Sequence, residues 1–467
     1  MWGFCSSSLK KTPLPAVTAE MAKKRARKKI GLTEFVRRRR ELMALMEDDS
    51  IAILPGALAR FRNSDVEFRF RQDSDFHYLT GFDEPDAVFV LVPGREHGEA
   101  ILFCRERDDQ HEQWHGDVTG PERAMQLYGM DDAFPITDID DILPGLIEGR
   151  SHLYYAMGAD RDFDSQVIDW VRMIRSNGQP GTEPPGEFIQ LEQYLHELRL
   201  FKSAAEIELM RRAAEATVRG HIRILKNVEP GMLEYELEAE LYHEFVMAGA
   251  RWPAYPAIVG GGKNACTFHY ICNDDVLCDG DLVLVDAGGE YENYACDLTR
   301  TFPVSGRFTK AQVAVYEVVL KAQQAAIDAV KPGNTWNEPH DAAIREVTLG
   351  LVDLGILKGD IDNLLKSEAY LPYCPHKTGH WLGLDVHDVG DYRVNGQWRV
   401  FEEGMVTTIE PGIYFGVDQD DVPADYRGIG IRIEDDILVT RTGNEVLTAA
   451  VPKAIGEIEA LMGGGGH

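Results

Sequence analysis

The sequence predicts an α/β (α+β) protein of two domains, and three observations carry that reading. The chain has 467 residues, room for two to three domains at roughly 150 residues each. Short apolar runs closed by Gly or Pro alternate with longer runs of helical period. A Pro/Gly-rich stretch and a long helical pattern then divide the chain near its middle.

Taken in order, residues 1–20 hold no continuous apolar h-region, so no secretory signal is expected and Met21 is a candidate start. A basic island follows, KKRARKK (23–29) and then RRRR (37–40). TEFVRRRRELMALM reads as an amphipathic helix with Phe35, Leu42 and Leu45 inward and its arginines solvated. SIAILPG, DAVFVLVPG and EAILFC read as strands between residues 50 and 105, with helix and turn up to about 175. SNGQPGTEPPGEF (176–188) reads as an exposed loop. The run LEQYLHELRLFKSAAEIELMRRAAEATVRGHIRIL reads as one long helical pattern, with a domain boundary inside it near residue 198. That gives domains 1–198, with a basic and disordered start over 1–30, and 199–467. In the second half DLVLVDAGG and YACDLTRTF read as two strands of a hairpin, and MVTTIEPG and GIGIRIEDD as two more. Between the pairs, 309–330 reads as a helix stopped by Pro332-Gly333.

Bulk properties exclude several classes. A net charge of −29 argues against a nucleic-acid binder. No apolar run approaches the ~18 residues of a membrane span. The seven cysteines lack CxxC pairs and read as reduced thiols of a cytoplasmic protein.

The chemistry sits in acids placed where acids are costly. Asp286 interrupts the apolar VLVDAG, Asp297 lies in YACDLTRTF, Glu410 follows VTTI, and Glu434 lies in GIRIED. Period-2 alternation puts Ile429, Ile431 and Ile433 on one face and Gly430, Arg432 and Glu434 on the other. Were the four acids to converge, repulsion would protonate some of them unless cations neutralised them. Carboxylates with one imidazole suit Mn²⁺, Zn²⁺, Co²⁺ or Fe²⁺. HKTGHWLGLDVHD supplies His376, His380 and His387, and TFHY supplies His269. Glutamate is absent at position 377, so HKTGH is not a zincin helix. Gly379 and Gly383 make the segment a loop leading into a strand, open to close backbone approach.

VDAGGEYENYACDLTRTF, HKTGHWLGLDVHD, TTIEPGIYF and YRGIGIRIEDD resemble the pita-bread metallopeptidases, and RQDSDFHYLTGFDEPDAVFVLV resembles their creatinase-like N-terminal domain. The resemblance covers nearly the whole chain and is nearest to the bacterial aminopeptidase P branch. It implies a creatinase-like α/β domain followed by a pita-bread catalytic domain. It also implies two divalent ions, manganese first, with zinc, cobalt or iron as alternatives. Asp286 would chelate one ion and His380 with Glu410 the other, while Asp297 and Glu434 bridge them. His269, His376 and His387 match histidines lining the site, and Arg432 matches an arginine behind it. His77 stands where the family pattern has an aromatic. The implied activity is removal of a first residue ahead of proline by a metal-bridging hydroxide. In that chemistry Glu410 accepts a proton, His269 and His387 contact the oxyanion or relay protons, and His376 serves the proline side. Peptides with proline second are the implied partners, and a homo-oligomer, dimer or tetramer, is implied by the same resemblance. The alternatives are a prolidase cutting Xaa-Pro dipeptides and a non-catalytic peptide-binding module.

Overall fold

The computed structural model describes residues 29–108, 112–114, 116–177 and 183–463. The expectations for the basic start and Met21 lie outside the described residues, as do residues 178–182 of the 176–188 loop, whose two ends run into the helix Arg161–Asn177 and the strand Glu187–Ile189.

The three apolar runs of the first half form the strands Ser50–Pro55, Val88–Leu91 and Ala100–Cys104, buried except at Pro55. They pair antiparallel, and short strands add to both sides in parallel: Asp132–Pro135 outside Ala100–Cys104, then His152–Tyr154 and Glu187–Ile189 beyond Ser50–Pro55. These three added strands, the hairpin Phe61–Asn63/Val66–Glu67 and the helix Ser74–Thr80 escape the sequence reading. The helix is short but capped at both ends. Asp73 accepts from the Phe76 N–H, and Gly81 closes it in the left-handed region.

The basic helix Leu32–Leu45 corrects the expectation that its arginines are solvated. Phe35 and Leu42 face inward, but Leu45 is exposed and Arg38 and Arg39 are buried. Arg39 donates to the carbonyls of Leu79, Gly129 and Tyr128. Arg38 donates to the Tyr78 carbonyl and pairs with Glu206. Guanidinium groups can be buried there because backbone oxygens and, for Arg38, the carboxylates of Glu34 and Glu206 replace their water.

The long helical pattern is broken. One helix ends at Leu200, and Glu192–Leu200 is followed at Ser203 by a full capping box that starts Ala204–Asn227. The second half is built from antiparallel pieces: Ile258–Gly261, Leu282–Asp286 and Thr299–Pro303 in one sheet, Val406–Ile409, Asp435–Thr440 and Gly443–Val446 in another, and Gly412–Tyr414 paired with Gly430–Arg432. The helix Lys310–Ala329 forms as expected, capped by Thr309 and Gln312.

Two strand expectations are corrected in a way that matters for the site. YACDLTRTF is two strands, Tyr294–Ala295 and Thr299–Pro303, with Asp297 in the gap. GIGIRIEDD is likewise Gly430–Arg432 and Asp435–Thr440, with Glu434 in the gap. In both places the chain leaves one ladder and joins another, so the acid is freed from regular pairing. HKTGHWLGLDVHD holds no strand, only an isolated bridge from Trp381 to Thr407.

Candidate metal centre

The acids converge. Asp286 ends a strand whose register sets it opposite Thr299. Glu410 follows the strand Val406–Ile409, and its N–H donates to the Thr378 carbonyl. The same strand holds the histidine loop: Thr408 N–H donates to the His380 carbonyl, and the His380 N–H donates to Thr408 Oγ1. A Cβ at Gly379 would lie 2.1 Å from the Thr408 carbonyl oxygen, so only glycine allows this approach.

One cavity of about 520 Å³ is lined by Asp286, Asp297, His380, Glu410 and Glu434 together with His269, His376, His387 and Arg432. All nine residues singled out from the sequence therefore share one space. Asp297, His380 and Glu434 offer ligand atoms within 4.8 Å of one another. His380 Nε2 stands 3.4 Å from Asp297 and 3.6 Å from Glu410. Its Nδ1 is 2.9 Å from the Trp381 carbonyl, which holds the ring with Nε2 inward.

The charge balance tests whether cations belong here. Burial, then the charges of Asp297, Glu410 and Asp286, drive the Glu434 carboxyl far above its ordinary range. Burial raises Glu410 to about 7 in spite of His380 and Arg432. Burial would depress His380, but its bond to Asp297 and the charge of Glu410 outweigh that and lift it to about 9. The Tyr255 hydroxyl lies 2.6 Å from Asp286 Oδ1 and within bonding reach of Asp297 Oδ1. A phenol has one proton, so two carboxylate contacts call for another proton or a cation nearby. The chain's own cations are too few, and a donor set of carboxylate oxygens and one imidazole nitrogen fits divalent metal.

Arg432 is the chief internal cation, 2.6 Å from Asp286 Oδ2 and 2.8 Å from the Tyr414 hydroxyl. Tyr414 also lies 2.8 Å from His376 Nε2. Burial keeps His376 at about 4, so it is neutral near pH 7. Burial and then the His380 charge lower His387, whose ring meets His380 edge-on at 4.3 Å. Phe268, Ile258, Ile271 and Val386 supply apolar wall. The sequence reading missed Tyr255 and Tyr414, because a tyrosine in a strand or turn is no anomaly. His77 lies outside this cavity, bonded to Asp83 at 2.8 Å.

Residues 208–441 match the model of metallopeptidase family M24, and residues 35–154 match that of the aminopeptidase P N-terminal domain. The Xaa-Pro aminopeptidases of Haemophilus influenzae and of Escherichia coli K12 are each 45% identical over 93% of this chain and 98% of their own length. Among solved structures, Pseudomonas aeruginosa aminopeptidase PepP superposes with a TM-score of 0.93 at 56% identity, covering 94% of this chain and 99% of that one. A zinc-substituted Escherichia coli aminopeptidase P in complex with product gives a TM-score of 0.91 at 44% identity, covering 94% of this chain and all (100%) of that one.

Proposed function

The chain belongs to metallopeptidase family M24 and carries the aminopeptidase P N-terminal domain, and from that premise we infer that it is a Xaa-Pro aminopeptidase. It hydrolyses the bond between a peptide's first residue and a proline in second position, and it uses divalent metal. The observation that carries this reading is the convergence of Asp286, Asp297, His380, Glu410 and Glu434 in one cavity.

Those five residues are proposed to hold two ions, manganese by preference. When bound, such ions supply an acidified water as nucleophile and polarise the scissile carbonyl. The chain's own groups do the rest. Glu410, which must be ionised to hold an ion, is the carboxylate proposed to take up the proton released as attack proceeds. The acid-rich end of the cavity receives the peptide's ammonium group and limits cleavage to one residue. His269 and His387, which line the same cavity, are proposed to contact the developing oxyanion or pass a proton to the leaving nitrogen. Neutral His376, fixed by Tyr414 and packed against Phe268, flanks the proline side. Proline has no N–H and a fixed φ, so an apolar and imidazole wall suits it better than a backbone-reading cleft.

We also propose a boundary near residue 198, supported by family matches that stop at 154 and resume at 208. The six described cysteines are all free, which supports a cytoplasmic location, to be checked by cell fractionation. No helix among the described residues is long and apolar enough to cross a membrane. A homo-oligomer is supported by exposed apolar residues on and beside the N-terminal hairpin, Leu58, Phe61, Val66 and Phe68. Light scattering tests it, and a monomer at micromolar concentration would refute it.

The deciding assay gives the manganese-loaded chain Gly-Pro and an Ala-Pro-Ala tripeptide. Cleavage of the tripeptide with release of alanine is expected. Preference for the dipeptide would make the chain a prolidase, and no turnover of either would leave a peptide-binding module.

A further inference from the structure

A second cavity of about 360 Å³ lies directly behind the metal centre, within the ~300–1,000 Å³ range of small-molecule sites. Its walls are aromatic: Trp336, Tyr392, Trp398 and Phe401. Trp336 packs at 4.6 Å from Tyr392 and 4.2 Å from the buried Trp381, so the aromatic wall is braced from behind. Few polar groups converge on it: Asn337, His340, Lys377 and the threonines 378, 407 and 408. No carboxylate lines it, in a chain with a net charge of −29. Lys377, exposed at the rim, makes no ion pair with a described residue. His340 spends Nδ1 on Thr378 Oγ1 at 2.8 Å, which leaves Nε2 for a ligand.

The wall shared with the metal centre is the more telling feature. Lys377 and Gly379 line both cavities. Thr378, which holds His340, accepts the Glu410 N–H on its carbonyl. Thr408 holds His380 through both its backbone and its hydroxyl. A ligand in the second cavity therefore presses on the two segments that aim His380 and Glu410.

We propose that this cavity is a second binding site, for a flat aromatic monocarboxylate of one or two rings, whose occupancy alters turnover at the metal centre without displacing peptide. The ring stacks among Trp336, Tyr392 and Trp398, and the carboxylate meets Lys377 and Asn337 or His340 at the rim. The effect on turnover rests on the peptidase reading, but binding itself does not.

Calorimetry on the full chain tests the site with indole-3-acetate as probe, with and without bound manganese. Saturable binding is expected in both states. It weakens about tenfold for neutral indole-3-acetamide and for non-aromatic cyclohexylacetate, and by a similar factor in Trp336→Leu and Trp398→Leu, each a loss of one stacking face or one charge contact. Circular dichroism of the two variants separates a lost contact from a lost fold. With tripeptide as substrate, the probe is expected to change kcat and leave KM nearly constant. Binding that requires manganese, inhibition competitive with peptide, or equal affinity for the acid and the amide would each overturn the proposal, because the probe would then be a metal ligand or a nonspecific hydrophobe. Heat in the metal-free chain with no turnover of any peptide would sink the peptidase reading and leave this site standing.

Discussion

Arg432 Nη2 stands 2.6 Å from Asp286 Oδ2 in the buried floor of the metal centre. Asp286 ends one strand and Arg432 ends another in a different sheet, so this ion pair ties the two together beneath the carboxylates. Arg432→Met removes the only guanidinium in the cavity lining and leaves Asp286 charged or forces it to protonate. Losing one partner of a buried pair costs about 3–5 kcal/mol. The metal-free variant is expected to lose that much stability in urea titration, and added Mn²⁺ should restore part of it by neutralising the same carboxylates. A stability loss that metal leaves untouched would mean Arg432 serves packing rather than charge.

If His269 and His387 line the cavity without ligating, as proposed, they should separate from His380 on mutation. Groups that transfer or share a proton in the transition state contribute about 10²–10⁴-fold in rate. His387→Ala and His269→Ala are expected to lower kcat within that range while metal content by elemental analysis stays at the wild-type level. His380→Ala should lose both. Loss of metal from the His387 variant would make it a ligand and redraw the site.

The acids were legible because burial makes an acid conspicuous. Asp286 in VLVDAG and Glu410 after VTTI stand out in apolar strands, and the glycine-spaced histidines stand out by composition. Their exact setting was less legible. Asp297 and Glu434 read as strand residues because the apolar alternation runs straight through the gaps where the chain changes partners. Arg38 and Arg39 read as solvated because nothing local says otherwise. Their partners are carbonyls 40 and about 90 positions away, which only the fold brings near. Tyr255 was silent for the same reason, since its two carboxylates lie 31 and 42 positions on.

Asp388 joins the two halves of the chain. It accepts from Arg199 at 2.6 Å and from Lys202 at 2.9 Å, and Arg199 also holds Asp75 of the N-terminal half at 2.6 Å. Both cations are buried, and Asp388→Ala takes from Lys202 its one carboxylate while Arg199 keeps Asp75 and Asp385. A destabilisation of about 3–5 kcal/mol is expected, and the loop that carries His387, the residue before Asp388, should loosen with it. Asp388→Asn, which keeps the shape and one acceptor, should lose less. Equal losses in the two variants would point to volume rather than charge.

His221 gives the fold an acid limit of its own. It is fully buried, its Nε2 lies 2.9 Å from the Ala287 carbonyl, and burial lowers its pKa to about 4 against the bond that favours the charged form. The unfolded chain takes up this proton near the ordinary imidazole value of about 6.5. Between these two values the unfolded state binds more protons, so stability rises with pH there. The contribution is present above about 6.5 and is lost as pH falls toward 4, a few kcal/mol in all at ~1.4 kcal/mol per unit. His221→Gln should cost stability at pH 7.5 and flatten the decline between pH 6.5 and 4 in urea titrations. An unchanged slope would assign the acid limit to other groups.

Metal uptake should be coupled to proton release, with a sign set by the same charges. Without metal, His380 is raised to about 9, Glu410 to about 7 and Glu434 well above the carboxylate range. Each must be deprotonated to serve as a ligand. Near pH 7 the metal-free site therefore holds a proton on His380 and, in part, on Glu410, the raised Glu434 shifts the balance the same way, and binding expels these protons. The apparent affinity for Mn²⁺ should climb as pH rises from 6 toward 9, and fall steeply on the acid side. Calorimetric titration in two buffers of different ionisation enthalpy reads the proton count directly. More than one proton released per chain at pH 7 is expected, together with loss of activity on chelation and its return with Mn²⁺. Uptake without proton release would show that the carboxylates are already ionised in the empty site, and that the crowding of Asp286, Asp297, Glu410 and Glu434 is relieved by something other than metal.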